Sequence, residues 1–71
     1  MAEVRADMAG VLQRWLVSVG DAVSAEQEIA ILESMKMEIP VLSPVAGHVT
    51  QQAGGPGDFI QEGDLLAVIE P

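Results

Sequence analysis

The chain has 71 residues, 49% of them apolar, and eleven Asp or Glu against three Lys or Arg give a formal net charge of −8. The absence of Cys and the single His exclude disulfides and a thiolate or zinc site, and no apolar run is long enough for a transmembrane helix. The negative charge repels nucleic acid and anionic membranes. We therefore expect one domain over residues 1–71, located in the cytoplasm, with an aliphatic core and no metal, nucleic-acid or membrane partner.

Short apolar segments separated by Gly and Pro follow one another along the chain. Val and Ile together number fourteen against six Leu, and β-branched side chains favour strands over helices. In chain order, the predicted strands are 3–8, 11–17, 28–33, 37–42, 46–51, 59–60 and 65–70, with turns at Gly20 and Gly57. Many short strands at close spacing predict an all-β fold, a flattened antiparallel barrel or sandwich.

An internal repeat supports this architecture. Shifting the sequence by 37 residues aligns 4–33 with 41–70 without a gap, and seven of the thirty positions are identical. The identities include the turn pairs Gly20/Gly57 and Asp21/Asp58, and aliphatic exchanges elsewhere keep the alternation of inward and outward side chains. The repeat predicts two similar half-sheets related by a pseudo-twofold axis and packed through their apolar faces.

Lys36 is the only lysine and stands at the middle of the chain, with 35 residues before it and 35 after it. Antiparallel pairing of the flanking segments predicts that Lys36 lies at a hairpin tip, with both termini at the far end. An amine on a flexible stem at such a turn is accessible to acylation. Met35 and Met37 flank it, and strict alternation would place both on one face, as either core filler or a recognition surface.

The segment Glu33-Ser34-Met35-Lys36-Met37-Glu38 resembles the attachment motif of the biotin carboxyl carrier family, whose shared pattern is Glu-Ala/Ser-Met-Lys-Met. The resemblance extends over essentially the whole chain, through turn segments such as Val19-Gly20-Asp21-x-Val23. It implies that the Lys36 amine becomes amide-linked to biotin. It also implies that Met35, Met37 and Glu33 are read by a biotin protein ligase, although Glu33 could equally belong to a solvated hairpin edge.

The function implied by the resemblance is that of a carrier without catalytic residues. Biotin on Lys36 would be carboxylated by a biotin carboxylase and would deliver the carboxyl group at a carboxyltransferase of a biotin-dependent carboxylase, such as an acyl-CoA carboxylase. The single His48 and the scattered carboxylates form no catalytic constellation of their own. The chain would supply tethering and presentation, while the cofactor supplies the chemistry.

Two alternatives share the same fold. A lipoyl carrier would use the same lysine, but lipoyl domains usually have Asp-Lys-Ala where this sequence has Met35-Lys36-Met37. An interaction module of this fold would leave Lys36 unmodified. One departure from the family pattern affects the scaffold instead: Glu26 stands where Gly is common. If that turn needs a positive φ, Glu26 is strained or the turn has another shape.

Overall fold

A computed structural model describes all 71 residues as eight strands and no helix, which confirms the all-β prediction. No helix able to cross a membrane is present. The strands are β1 (Ala2–Arg5), β2 (Gly10–Trp15), β3 (Ala22–Val23), β4 (Glu28–Ser34), β5 (Met37–Leu42), β6 (Gly47–Gln52), β7 (Phe59–Ile60) and β8 (Leu65–Glu70).

The strands form two four-stranded antiparallel sheets, in the orders β1-β8-β6-β3 and β5-β4-β2-β7. The 37-residue shift converts one order into the other, strand by strand, so the pseudo-twofold axis predicted from the repeat relates the two sheets. Neither repeat is a half-sheet by itself, however, because each sheet takes two strands from each repeat. The two repeats are therefore interleaved, and neither could bury its apolar face without the other.

The symmetry extends to irregular backbone. The fourteen backbone hydrogen bonds outside the strand ladders fall into seven pairs related by the same shift. For example, the Gly20 N–H donates to the Val49 carbonyl at 2.7 Å, and the Gly57 N–H donates to the Leu12 carbonyl at 2.8 Å. The register shift in the β2–β4 pairing, between Leu12 and Arg14, recurs between Val49 and Gln51 in the β6–β8 pairing. The weak sequence repeat thus encodes a closely repeated backbone.

Some predicted strand boundaries were wrong. The strands at 37–42, 59–60 and 65–70 have the predicted bounds, whereas β1 and β2 end earlier than expected and β6 lies one residue later. β1 ends at Arg5 because the next residue, Ala6, leaves the ladder: its N–H donates to the Asp64 carbonyl and its carbonyl accepts from the Gly63 N–H, both at 2.9 Å. β3 was not predicted, although its repeat-related strand at 59–60 was.

The core consists of two apolar clusters, joined by the partly buried Trp15 and Val41, which pack against both. The cluster nearer the β4–β5 hairpin contains Ala6, Leu12, Ala30, Leu32, Ile60 and Leu66. The other contains Val4, Val17, Val23, Ile29, Val49, Ala67 and Ile69. The indole of Trp15 also donates a hydrogen bond to the Gly54 carbonyl at 3.1 Å. This continuous packing gives the hairpin a rigid base.

The two chain ends occupy the place that is symmetry-equivalent to the β4–β5 loop. In the hairpin, Leu32 pairs with Ile39, and 37 residues away Ile69 pairs with Ala2. β1 runs from Ala2 away from the chain ends and is followed by the loop 6–9. This loop leads to Gly10, which lies against Glu33 of the hairpin. The termini therefore lie opposite the hairpin in a molecule 33 Å long, as the sequence predicts.

The turn at Glu26 has the shape of its repeat-related turn at Gly63, in spite of the difference in residue. Glu26 has a φ of 67°, and its symmetry mate Gly63 has a φ of 90°. The Glu26 N–H donates to the Ser43 carbonyl at 2.6 Å, as the Gly63 N–H does to the Ala6 carbonyl. Of the two alternatives raised by the sequence, strain at Glu26 is the correct one. A left-handed non-glycine residue costs about 1–2 kcal/mol.

Candidate functional site

Lys36 lies at the tip of the β4–β5 hairpin, as predicted. The strands pair from Glu28 opposite Leu42 up to Ser34 opposite Met37, which leaves a loop of only two residues, Met35 and Lys36. Both loop residues have positive φ, 53° and 65° respectively. Two central residues with positive φ define a type I′ turn, whose twist matches that of the flanking strands.

The residues in this turn are poorly suited to its backbone. Type I′ turns favour Asn-Gly, whereas here the two positions hold Met and Lys. Each non-glycine residue in the left-handed backbone conformation lowers the stability of the fold by about 1–2 kcal/mol. Strain of this kind persists where the surrounding structure over-determines it, and it is concentrated at functional sites. The long β4–β5 ladder holds the loop in place, so Met35 and Lys36 are positioned by the scaffold and not by their own preferences.

Lys36 is exposed and takes part in neither of the two ion pairs of the protein, Arg5–Glu3 and Arg14–Glu38. No side-chain hydrogen bond involves its amine, and no group of three or more His, Asp or Glu residues is arranged to hold a metal ion. The site therefore offers an accessible primary amine on a rigid support. Such a group can serve as the substrate of an acylating enzyme that brings its own activating groups.

The methionines beside Lys36 are not core residues. Met35 is 91% exposed and Met37 is 63% exposed, so neither side chain fills the core. The alternation argument does not apply to them, because Met35 lies in the two-residue loop and only Met37 lies in a strand. Exposed, flexible thioethers are typical of adaptable recognition surfaces.

A third methionine near the hairpin was missed by sequence reasoning. Met8, 39% exposed, lies in the loop between β1 and β2 and shares a surface groove of about 240 Å³ with Leu32 and Ile39, a ladder pair of the hairpin. Gly10, two residues further along the chain, lets β2 approach β4 of the hairpin closely. A Cβ on Gly10 would lie 2.6 Å from the Glu33 carbonyl oxygen.

Glu33 pairs directly with Glu38 across the hairpin, one ladder position below Ser34 and Met37. Both carboxylates are exposed, and like charges directly opposite each other destabilise a sheet. Arg14 relieves this repulsion only weakly, since its guanidinium lies 4.0 Å from the Glu38 carboxylate and both groups are solvated. The hairpin therefore carries, one ladder position from its tip, an acidic pair that does not stabilise the fold.

The fold and this hairpin define a small all-β domain that presents its single lysine on a tight turn. The sequence matches the Biotin_lipoyl family, described as biotin-requiring enzyme, over residues 2–70. The chain belongs to this family.

Individual relatives resemble the chain over almost all of its length. It is 50% identical over 70 residues to the "Biotinylated protein TB7.3 homolog" of Mycobacterium leprae, covering 97% of this chain and 99% of that protein. It is 48% identical over 63 residues to the "Biotin/lipoyl attachment protein" of Bacillus subtilis, covering 89% and 86%. Among solved structures, the urea carboxylase of Kluyveromyces lactis superposes with a TM-score of 0.93 and 32% identity, over 97% of this chain and 6% of that one.

Proposed function

We propose that this chain is a biotin carrier domain, spanning residues 1–71, in which the Nζ atom of Lys36 forms an amide with the carboxyl group of biotin. The observation that carries the proposal is the turn: the only lysine stands on an exposed, strained two-residue loop of a scaffold belonging to a biotin-requiring family. The Mycobacterium leprae relative is named a biotinylated protein, which supports biotin as the group attached.

Attachment requires a biotin protein ligase, because no residue near Lys36 could activate a carboxyl group. The Lys36 Nζ attacks the activated carboxyl carbon, a C–N bond forms, the activating group leaves with the bonding electron pair, and Nζ loses its proton to solvent. The scaffold contributes by holding the loop in one conformation, so that little entropy is lost when the ligase binds it. We assign recognition by the ligase to the exposed Met35 and Met37 and to Glu33.

Attached biotin would carry a carboxyl group between a biotin carboxylase and a carboxyltransferase. The chain itself contributes a tether and no catalytic residue. Because the hairpin is rigid and the lysine arm flexible, the effective concentration of the cofactor at each active site is high without tight docking. The resemblance to the urea carboxylase structure supports a partnership with carboxylase active sites, and the acyl or amide acceptor is set by those partners. We assign this exchange to the cytoplasm.

The experiment that tests this proposal is enzymatic labelling read by mass spectrometry. The purified chain is incubated with a biotin protein ligase, ATP and biotin, and in parallel with a lipoate ligase, ATP and lipoic acid. We expect the mass increment of one biotinyl amide, mapped to the peptide containing Lys36, and no labelling of Lys36→Arg, which keeps the charge and the fold. Biotin incorporation into the Lys36→Arg variant would refute the assignment of the site.

A lipoyl carrier is the second candidate, favoured by one observation: the Bacillus subtilis relative is named for attachment of either group. Met35 and Met37 distinguish the two, since the resemblance associates the Met-Lys-Met pattern with biotin. Faster modification in the lipoate arm than in the biotin arm would establish the lipoyl function instead. A chain from its native cells with an unmodified Lys36 would point to an interaction module.

A further inference from the structure

A row of four exposed residues crosses the outer face of the hairpin-bearing sheet, and nothing in the mechanism above uses all of it. Val11 pairs with Phe59 on one side and with Glu33 on the other, and Glu33 pairs with Glu38. Directly paired residues of antiparallel strands project from the same face of a sheet. We call Phe59, Val11, Glu33 and Glu38 the outer strip.

Burial confirms that the outer strip faces away from the core. The neighbouring pair Leu12 and Leu32 is buried, whereas Phe59 is 64% exposed and Val11 is 37% exposed. Phe59 is the only phenylalanine of the chain. Exposing most of an aromatic ring forfeits the hydrophobic stabilisation that its burial would give, so the ring does not stand there for the stability of the isolated domain.

The pseudo-twofold axis provides an internal comparison. The equivalent row on the other sheet is Ala22, His48 and Glu70, which pair in the same way. The same backbone thus forms with a methyl group where Phe59 stands and an imidazole where Val11 stands. The fold does not require the aromatic and aliphatic side chains of the outer strip, and they occur only on the sheet that carries Lys36.

The position of the outer strip indicates which partner covers it. The Glu33–Glu38 pair is adjacent to the Ser34–Met37 pair that closes the loop of Lys36. An enzyme that forms a bond to the Lys36 Nζ must bring its active site to the tip, so its surface lies over the residues next to the tip. An enzyme that acts on the far end of the cofactor arm has no such constraint.

The chemistry of the outer strip specifies the complementary surface. Its apolar half offers an exposed aromatic ring, the type of residue that anchors protein interfaces when buried in a partner pocket. Its acidic half belongs to a chain with a net charge of −8, which steers a basic partner toward it. We propose that the outer strip is the docking surface of the ligase that acylates Lys36, with Phe59 in an apolar pocket and Glu33 and Glu38 facing basic residues. This inference rests on the proposed function.

The test is steady-state labelling by a biotin protein ligase, with the concentration of the carrier varied. For Phe59→Ala we expect the KM for the carrier to rise about tenfold, the effect of losing one anchoring residue, with kcat changed less than about twofold. The double variant Phe59→Ala/Ala22→Phe keeps the composition and moves the ring to the equivalent place on the other sheet. It should not regain the wild-type KM. Far-ultraviolet circular dichroism and thermal unfolding verify that both variants are folded.

The acidic half is tested independently with Glu38→Gln, which adds no competing amine. We expect a lower kcat/KM at low ionic strength and a weaker dependence on salt than in the wild-type chain. Wild-type KM values for both Phe59→Ala and Glu38→Gln, with normal labelling of the wild-type chain, would overturn the docking proposal and leave the carrier function standing. Failure of the wild-type chain to accept biotin would overturn both.

Discussion

The left-handed backbone at Met35 leads to a prediction in which stability and recognition change in opposite directions. Asn adopts this conformation readily, whereas Met at a φ of 53° costs about 1–2 kcal/mol. Met35 is 91% exposed, so Met35→Asn removes almost no packing. We therefore expect the free energy of unfolding to rise by about 1 kcal/mol. In a domain of this size, that increase raises the Tm by about 4–8 °C.

The same substitution should impair labelling, because Met35 is one of the side chains assigned to the ligase. We expect kcat/KM for biotin attachment to fall about tenfold. Thermal and urea unfolding measure the first effect, and ligase kinetics measure the second. Met37→Asn is the matched control, since Met37 is also exposed but lies in a strand without positive φ, where Asn is unfavourable. A Tm of Met35→Asn at or below the wild-type value would refute the argument from backbone strain.

Two further predictions concern glycine positions of the scaffold, both measured by urea unfolding. Glu26→Gly should stabilise the protein by about 0.5–1 kcal/mol, which is the cost of the left-handed backbone at Glu26 less the greater freedom that Gly gives the unfolded chain. By the same arithmetic, Gly63→Ala in the symmetry-related turn should destabilise the protein by about 0.5–1 kcal/mol. If the two substitutions changed the free energy of unfolding in the same direction, the equivalence of the turns would be contradicted. Gly10→Ala should cost about 1–3 kcal/mol, because the added Cβ would meet the Glu33 carbonyl oxygen at 2.6 Å, whereas Gly55→Ala meets no atom within 4 Å and serves as its control.

The sequence predicted the features that depend on local pattern and on the repeat. The short apolar run at 65–70 and the central position of Lys36 were sufficient to place a strand and a hairpin tip. The matched glycines, Gly20 and Gly57, located turns that both have positive φ in the structure. These features depend on residues whose backbone preferences agree with the fold.

The features that the sequence did not predict depend on contacts between distant segments. The 37-residue shift shows which strands are equivalent but not which strands pair, so the interleaving of the repeats required the structure. The strain at Met35 and Lys36 was not predictable either, because the ladder on both sides imposes the turn against the preferences of its residues. The exposure of Phe59 was not predictable either, because a two-residue strand does not show which of its side chains faces the core.

The pseudo-twofold axis has a mechanical consequence for any longer polypeptide in which this fold is embedded. One pole of the molecule carries the amine, and the opposite pole carries both chain ends, held side by side through the pairing of Ala2 with Ile69. A segment joined at either end would leave from the pole farthest from Lys36. The same unit can therefore work on its own or at the end of a flexible linker, and in both cases the pole that carries Lys36 points away from the attachment point.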